Sequence, residues 1–230
     1  MKMTKLIGMV FIVLTACTVG FSSCKRKDVG ESKKSSDVET VAPEKDFEVK
    51  PIEGGDGVVI TKYIGNAENL VIPATIQGAP VRAIGWRLFS TEGNDTIKSI
   101  VIPDGVGYIH DDAFSGCREL TSVTLPDSIE GIGFGAFMNC KITSITLPKS
   151  LKAIGMHAFG GCDELSEINI PDGLILTAFA SDGVLDDISP CFSGAKIDQS
   201  AALQKMLKEH KSVGDLDYAD EIYGRFFYKR

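Results

Sequence analysis

From Leu120 the chain reads LTSVTLPDSIEGIGFGAFMNCKI, and its apolar positions follow neither a helical period nor a long alternation. Leu120, Val123 and Leu125 stand at i, i+3 and i+5. That pattern predicts a short strand with one buried face. Pro126 has no N–H to give a ladder and ends the pairing. Ile129 and Ile132 return to the core after a turn, and Gly133 suits a turn with positive φ. Ala136 and Phe137 then place a small and a large side chain inside. Cys140 closes the unit, since thiols behave as small buried hydrophobes.

The same unit recurs along the chain. Ser99–Leu120, Ser122–Ile142 and Ser144–Leu165 are copies, and Glu167 opens another with EINIPDGL. Pro103, Pro126, Pro148 and Pro171 are spaced 23, 22 and 23 residues apart. Phe114, Phe137 and Phe159 keep that rhythm, as do Cys117, Cys140 and Cys162. A fixed period in the low twenties predicts a solenoid in which each coil buries its apolar face against its neighbours. The period extends at both ends. Leu70-Val-Ile-Pro73 with Val81, Ile84 and Phe89 forms a first coil that is longer by seven residues. Phe192-Ser-Gly-Ala195-Lys-Ile197 ends a last coil carrying ten extra residues, with Ala195 in the cysteine column and Cys191 in the alanine column. Before the first coil, Gly57–Tyr63 alternates like an edge strand and is predicted to cap that end. After the last, Ala202, Leu203, Met206 and Leu207 predict an amphipathic helix to about His210 that covers the open end.

Charge and the N-terminus add organisation to this frame. The 230 residues carry a formal net charge of −7, which argues against a nucleic-acid partner. Lys25–Lys50 holds seven basic and seven acidic residues and few apolar ones, so it is predicted as a disordered tether. Its r.m.s. reach would be roughly 30 Å. Before it, Lys2 and Lys5 precede an uncharged run, Leu6–Ser23. Leu14-Thr-Ala-Cys17 and Phe21-Ser-Ser-Cys24 each resemble the lipobox of bacterial lipoproteins, in which the cysteine is lipidated and becomes the mature N-terminus. Cys24 is favoured because the charge-free run ends there, with Cys17 as the alternative. A cleaved signal peptide without lipid, or an uncleaved anchor, is the plainer reading of the same run. The resemblance implies anchoring through an N-terminal lipid, the outer membrane being favoured because no Asp follows either cysteine.

The units I-x-I-P-D-x-V-x-x-I-G-x-x-A-F-x-x-C-x-x-L resemble the BspA-type leucine-rich repeats of bacterial surface proteins, over about Gly57–Ile197. The resemblance implies a right-handed leucine-rich-repeat solenoid, one short strand per 22–23-residue coil and little helix. It also implies surface exposure and adhesion or protein binding, without supplying catalytic residues. The expected organisation is a lipoprotein signal peptide at 1–23, a polar tether at 24–52, the solenoid with its strand cap at 53–197 and a helical cap at 198–230.

Most residues that look chemical are absorbed by the repeat. Zinc sites show cysteines paired two to four apart, and these cysteines come one per coil. A column stepping about 4.8 Å per coil predicts buried free thiols. Gly131-Ile-Gly133-Phe-Gly135 lacks the spacing of a nucleotide-binding loop. His110 replaces the glycine of sister coils and reads as a surface turn residue. No motif requires a cofactor or a metal. Two surfaces remain. The solvent side of the strands, including Thr121, Ser122 and Thr124, is small and hydroxyl-rich, as an ordinary sheet face is. Three residues before each repeat phenylalanine stand Trp86, Asp111, Phe134 and Met156, where a polar turn residue is expected. Trp86, Phe134 and Met156 are therefore the candidate ligand-binding edge, the competing reading being local packing over neighbouring turns. The expected function is noncatalytic binding of a protein or glycan partner at the cell surface, a host matrix component included. One alternative is a periplasm-facing scaffold in an envelope complex. Another is an enzyme with its chemistry in the 173–190 insertion or in Tyr218–Tyr228, although Asp182, Asp186 and Asp187 have no partnering base there.

Overall fold

In the computed structural model each repeat is one turn of a solenoid. The structure describes residues 40–89, 95–169, 177–180, 183–185 and 189–199. These residues belong to the compact unit Val38–Arg230. In chain order the strands are β1 (Phe47–Pro51), β2 (Val58–Tyr63), β3 (Asn69–Val71), β4 (Thr75–Ile76), β5 (Ala79–Ile84), β6 (Ser99–Val101) and β7 (Tyr108–Ile109). They continue with β8 (Ser122–Thr124), β9 (Gly131–Ile132), β10 (Ser144–Thr146), β11 (Ala153–Gly155), β12 (Glu167–Asn169), β13 (Thr177–Ala180) and β14 (Gly183–Leu185).

The predicted strand is present in every coil. β3, β6 and β8 pair in parallel, with Leu70, Ile100 and Val123 in register. β10 and β12 continue that side, with Ile145 opposite Ile168. Each coil adds a second short strand at its Ile-Gly step. These strands form a sheet in the order β1-β2-β5-β7-β9-β11-β13-β14. Ile84, Ile109, Ile132 and Ile154 lie in register across it and are fully buried. Small coils close this way because two parallel ladders satisfy the backbone while leaving one apolar interior between them.

Aromatic rings run the length of that interior. Phe89, Phe114, Phe137, Phe159 and Phe192 stack with centroids 5.1–5.5 Å apart. Tyr63 and Phe47 extend the column at tilted angles, 5.5 and 5.0 Å away. Backbone bonds fix the phase. The N–H groups of Phe89, Phe114 and Phe137 donate to the carbonyls of Ala113, Ala136 and Ala158, and that of Phe159 donates to Cys191. Cys191 therefore occupies the alanine column, and Ala195 is buried in the cysteine column, as the alignment predicts.

Several details differ from the sequence reading. The tether does not extend to residue 52. A 3-10 turn at Glu44–Asp46 and β1 belong to the folded unit, and β1 pairs antiparallel with β2. Phe47 anchors this segment, only 4% exposed. The strand at Gly57–Tyr63 is thus the second strand of the sheet, not its edge. The extra residues of the first coil form a hairpin, with Thr75 opposite Pro80 and the turn at Gln77 (φ 54°) and Gly78 (φ 77°). Two successive left-handed residues give the twist that a tight hairpin needs. The insertion before Phe192 also contains a hairpin: β13 pairs in parallel with β11 and antiparallel with β14. Gly133 is needed for space, not for positive φ. A Cβ there would lie 2.5 Å from the Asp111 nitrogen of the preceding coil. His110 is a buried residue at 9% exposure rather than a surface one. It stands between Gly85 and Gly133 in the stack, where the missing side chains leave it room. The signal peptide, Cys17, Cys24 and the helical cap beyond Gln199 lie outside the described residues. Lys196–Gln199 is a 3-10 turn.

Candidate binding edge

The turn that leads into each phenylalanine bends sharply at one column. Arg87, Asp112, Gly135 and His157 all have left-handed φ, between 50° and 58°. For a non-glycine residue this costs about 1 kcal/mol. The bend turns the preceding residue away from the core, and that residue is Trp86, Asp111, Phe134 or Met156. The four do not form one continuous apolar strip. Trp86 is 59% exposed, the highest value among the described large hydrophobic residues. The Arg87 guanidinium lies 4.6 Å from its ring centroid, and Arg87 Nε reaches Asp112 Oδ2 at 3.4 Å. Asp111 interrupts the column. Its carboxylate accepts the Phe134 N–H at 2.8 Å and so fixes the next turn. Phe134 and Met156 are half-buried in adjacent coils. The Phe134 ring meets His157 edge-on at 5.8 Å.

The edge is therefore an exposed indole–guanidinium pair, a carboxylate pair, and then a half-buried apolar patch. Arg87, Asp112 and His157 were not singled out by sequence, and Asp111 stood in the column only as its polar member. Their signal was positional: each precedes a repeat phenylalanine by two or three residues, beside the candidates. A stacked indole and guanidinium offer a flat apolar face with a fixed charge, which suits aromatic, acidic or carbohydrate surfaces.

The other surfaces carry less. Hydroxyls of the strand face are engaged between coils. Ser99 Oγ donates to Asn69 Oδ1 at 2.7 Å, and Thr121 Oγ1 to the Lys98 carbonyl at 3.1 Å. An open depression of about 460 Å³ lies beside the cysteine turns, lined by Arg118, Asn139, Lys141, Asp163 and Glu164 among others. It includes none of the three candidate residues. Its charges are mixed, and Lys141 already pairs with Glu119 at 3.2 Å. Among the described residues no group of three or more His, Cys, Asp or Glu is placed to hold a metal, and no helix is long and apolar enough to cross a membrane.

The cysteines belong to the scaffold. Cys117, Cys140, Cys162 and Cys191 are free and buried. Cys140 and Cys162 donate from Sγ to the carbonyls of Phe114 and Phe137, at 3.2 and 3.1 Å. Burial pushes the Cys117 and Cys162 thiols up to about 12, and raises Cys140 well above the ordinary thiol range. The thiolate is the reactive form. Differential alkylation at pH 8 with peptide mapping should leave these three unlabelled in the native protein and labelled after unfolding. Native labelling at minutes would show that the column opens.

The repeat, its pitch and its register agree with a known pattern. BspA type leucine rich repeat regions match residues 82–202 in six copies. The chain belongs to the BspA-type leucine-rich repeat family. A leucine-rich repeat protein of Treponema pallidum shares 22% identity and a TM-score of 0.59 over 77% of this chain and 99% of its own. That likeness supports the fold. A leucine-rich repeat protein of Bacteroides capillosus is 23% identical over 58% of this chain and 99% of its own, with a TM-score of 0.48. The pneumococcal vaccine antigen PcpA is 21% identical over 60% of this chain and 40% of its own, with a TM-score of 0.47. No curated protein matches. Membership of the BspA-type family makes a solenoid interaction scaffold the coarse assignment for this chain.

Proposed function

We propose that this BspA-type solenoid is a noncatalytic binding module of the bacterial cell envelope, held by a lipid on Cys24 or, alternatively, Cys17. Its edge at Trp86, Phe134 and Met156 takes a protein or glycan partner, with adhesion to host surfaces as the task. The observation that carries this reading is Trp86, a 59%-exposed tryptophan under a guanidinium in a fold whose repeat phenylalanines are stacked inside. Support for the envelope comes from the lipobox-like cysteines and from the family. Support for binding comes from the coil geometry, which repeats a scaffold and varies what it presents.

The test is capture of immobilised matrix proteins and glycans by the mature full-length protein. Trp86→Ser should weaken capture about tenfold or more, as loss of an interface tryptophan does. Its melting temperature should stay nearly unchanged, because the residue is 59% exposed and lies outside the core cluster. Phe134→Ser should weaken capture and also cost about 1 kcal/mol of stability, since the ring is half-buried. Undiminished capture by Trp86→Ser overturns the edge. Protection of the domain from protease added to intact cells overturns the surface location.

A further inference from the structure

One coil is shorter than its neighbours, and it is short at a single corner. After the column cysteine, the Phe114 and Phe159 coils read Cys117-Arg-Glu-Leu120 and Cys162-Asp-Glu-Leu165. The Phe137 coil reads Cys140-Lys-Ile142, with one residue fewer. The chain stays in phase on both sides of that corner. Before it, Cys140 and Cys162 donate from Sγ to the carbonyls of Phe114 and Phe137. After it, the N–H groups of Thr121, Thr143 and Ser166 donate to the carbonyls of Lys98, Thr121 and Thr143. The missing residue is therefore taken out of the surface and not out of the register. Its loss also changes the backbone. In the longer coils the N–H groups of Leu120 and Leu165 donate to the carbonyls of Cys117 and Cys162, at 3.1 and 3.0 Å, and close the turn. The Cys140 carbonyl accepts no backbone N–H among the described residues.

A short corner between two longer ones leaves a step, and the open depression of about 460 Å³ lies there. That volume falls within the range of roughly 300–1,000 Å³ for small-ligand sites. Arg118 comes from the coil on one side, and Asp163 and Glu164 from the coil on the other, with Cys140 and Lys141 between them. Lys141 is occupied by Glu119. Arg118, Asp163 and Glu164 are exposed and make no ion pair among the described residues. The depression thus holds a free cation at one end and free anions at the other. They belong to coils two steps apart, about 10 Å at the main chain. Opposite charges that the fold holds apart are complementary to a ligand carrying the same two charges in reverse order.

We propose that this step is a second binding site, for an extended peptide segment that carries an acidic and a basic residue two positions apart. Residues two apart stand on one face of an extended chain, about 7 Å from each other. The side chains of Arg118 and of Asp163 or Glu164 reach inward across the remaining distance. The acid of the ligand meets Arg118, its base meets Asp163 and Glu164, and a ligand N–H takes the Cys140 carbonyl. Both charges and a donor within one short unit are what a peptide offers. The site lies on the corner after each repeat phenylalanine, whereas the Trp86 edge lies before it, so neither depends on the other.

The experiment titrates the full-length protein with the blocked tripeptide acetyl-Asp-Ala-Lys-amide and follows backbone amide shifts. Saturable shifts are expected at Gly116, Lys141 and Gly161. Acetyl-Asp-Ala-Asp-amide and acetyl-Lys-Ala-Lys-amide should bind about fivefold or more weakly, since each exchanges one ion pair for a like-charge contact. Arg118→Glu, an exposed substitution, should weaken the mixed tripeptide by a similar factor and make the double-lysine tripeptide the tighter ligand. Inserting one glutamate between Lys141 and Ile142 restores the longer corner and should abolish the shifts. If that insertion disturbs folding, the Arg118→Glu reversal decides by itself. Trp86→Ser should leave the titration unchanged, which separates this site from the edge. The proposal is overturned if the shifts fail to saturate or appear elsewhere. It is equally overturned if the three tripeptides bind alike, or if Arg118→Glu leaves their order of affinity as it was.

Discussion

Phe137→Ala should lower the unfolding free energy by about 3–5 kcal/mol, the range for deleting a buried aromatic ring from a core that relaxes only in part. Phe137 has no exposed surface. It is stacked between Phe114 at 5.1 Å and Phe159 at 5.5 Å, nearly parallel to both. Each ring pair adds about 0.5–1.5 kcal/mol beyond its buried area, so the substitution removes two such terms and leaves a cavity. The position matters as much as the size. Stability in a repeat stack is a sum of coil terms and nearest-neighbour interfaces. Removing a central ring weakens the interfaces on both sides at once and should separate the coils before it from those after it. Urea unfolding followed by far-UV circular dichroism and by Trp86 emission should therefore become two non-coincident transitions. A single transition shifted by less than about 1.5 kcal/mol would show that the ring column is not the spine of the fold.

That spine was legible in the sequence because it is periodic. Phe114, Phe137 and Phe159 announce it, and the same register finds Phe89 and Phe192 at the ends. Where the period is broken the sequence says less. Tyr63 and Phe47 continue the column from strands outside any repeat, and only the alternation Phe-Glu-Val-Lys hinted that Phe47 was inside. A charged neighbourhood concealed it: across Lys25–Lys50 seven acids and seven bases outweigh six apolar side chains in composition, but the buried Phe47 ring anchors a strand against β2. The glycine column was visible and its cause was not. Gly133 resembles a turn former, yet what it supplies is room for the backbone of the coil before it. This contact between residues far apart in sequence cannot be read from one coil. The candidate edge was found in the right column, but its electrostatics were hidden. Asp111 replaces an apolar group and reads as an exception. In the folded chain it is the acceptor that holds the Phe134 turn.

Acid should destabilise this protein more than its carboxylates alone account for, and His110 is the reason. Burial lowers the His110 imidazole to about 3, from 6.5 in the unfolded chain. Above pH 6.5 both states hold it neutral, and it contributes nothing to the pH dependence. Below 6.5 the unfolded chain takes up a proton that the folded one refuses. Stability then falls by about 1.4 kcal/mol per pH unit until the folded value is reached. The upper limit at pH 4 is about 3 kcal/mol. Among the described residues, the groups seen beside the ring do not reverse this sign. Tyr108 packs against it as a neutral ring, Gly85 and Gly133 flank it without side chains, and the Asp111 carboxylate is turned to the Phe134 N–H. Carboxylates elsewhere add slopes of their own. Asp56 is held below the usual range by its hydrogen bond and ion pair with Arg82, and it too loses its contribution as pH falls. Those slopes are common to the wild type and a His110→Gln variant, so the difference between the two isolates the histidine. Unfolding free energies from urea melts between pH 7.5 and 4 should diverge below about pH 6.5, with the variant falling less steeply. Parallel curves across that range would mean that His110 is protonated in the folded protein and that its site admits water.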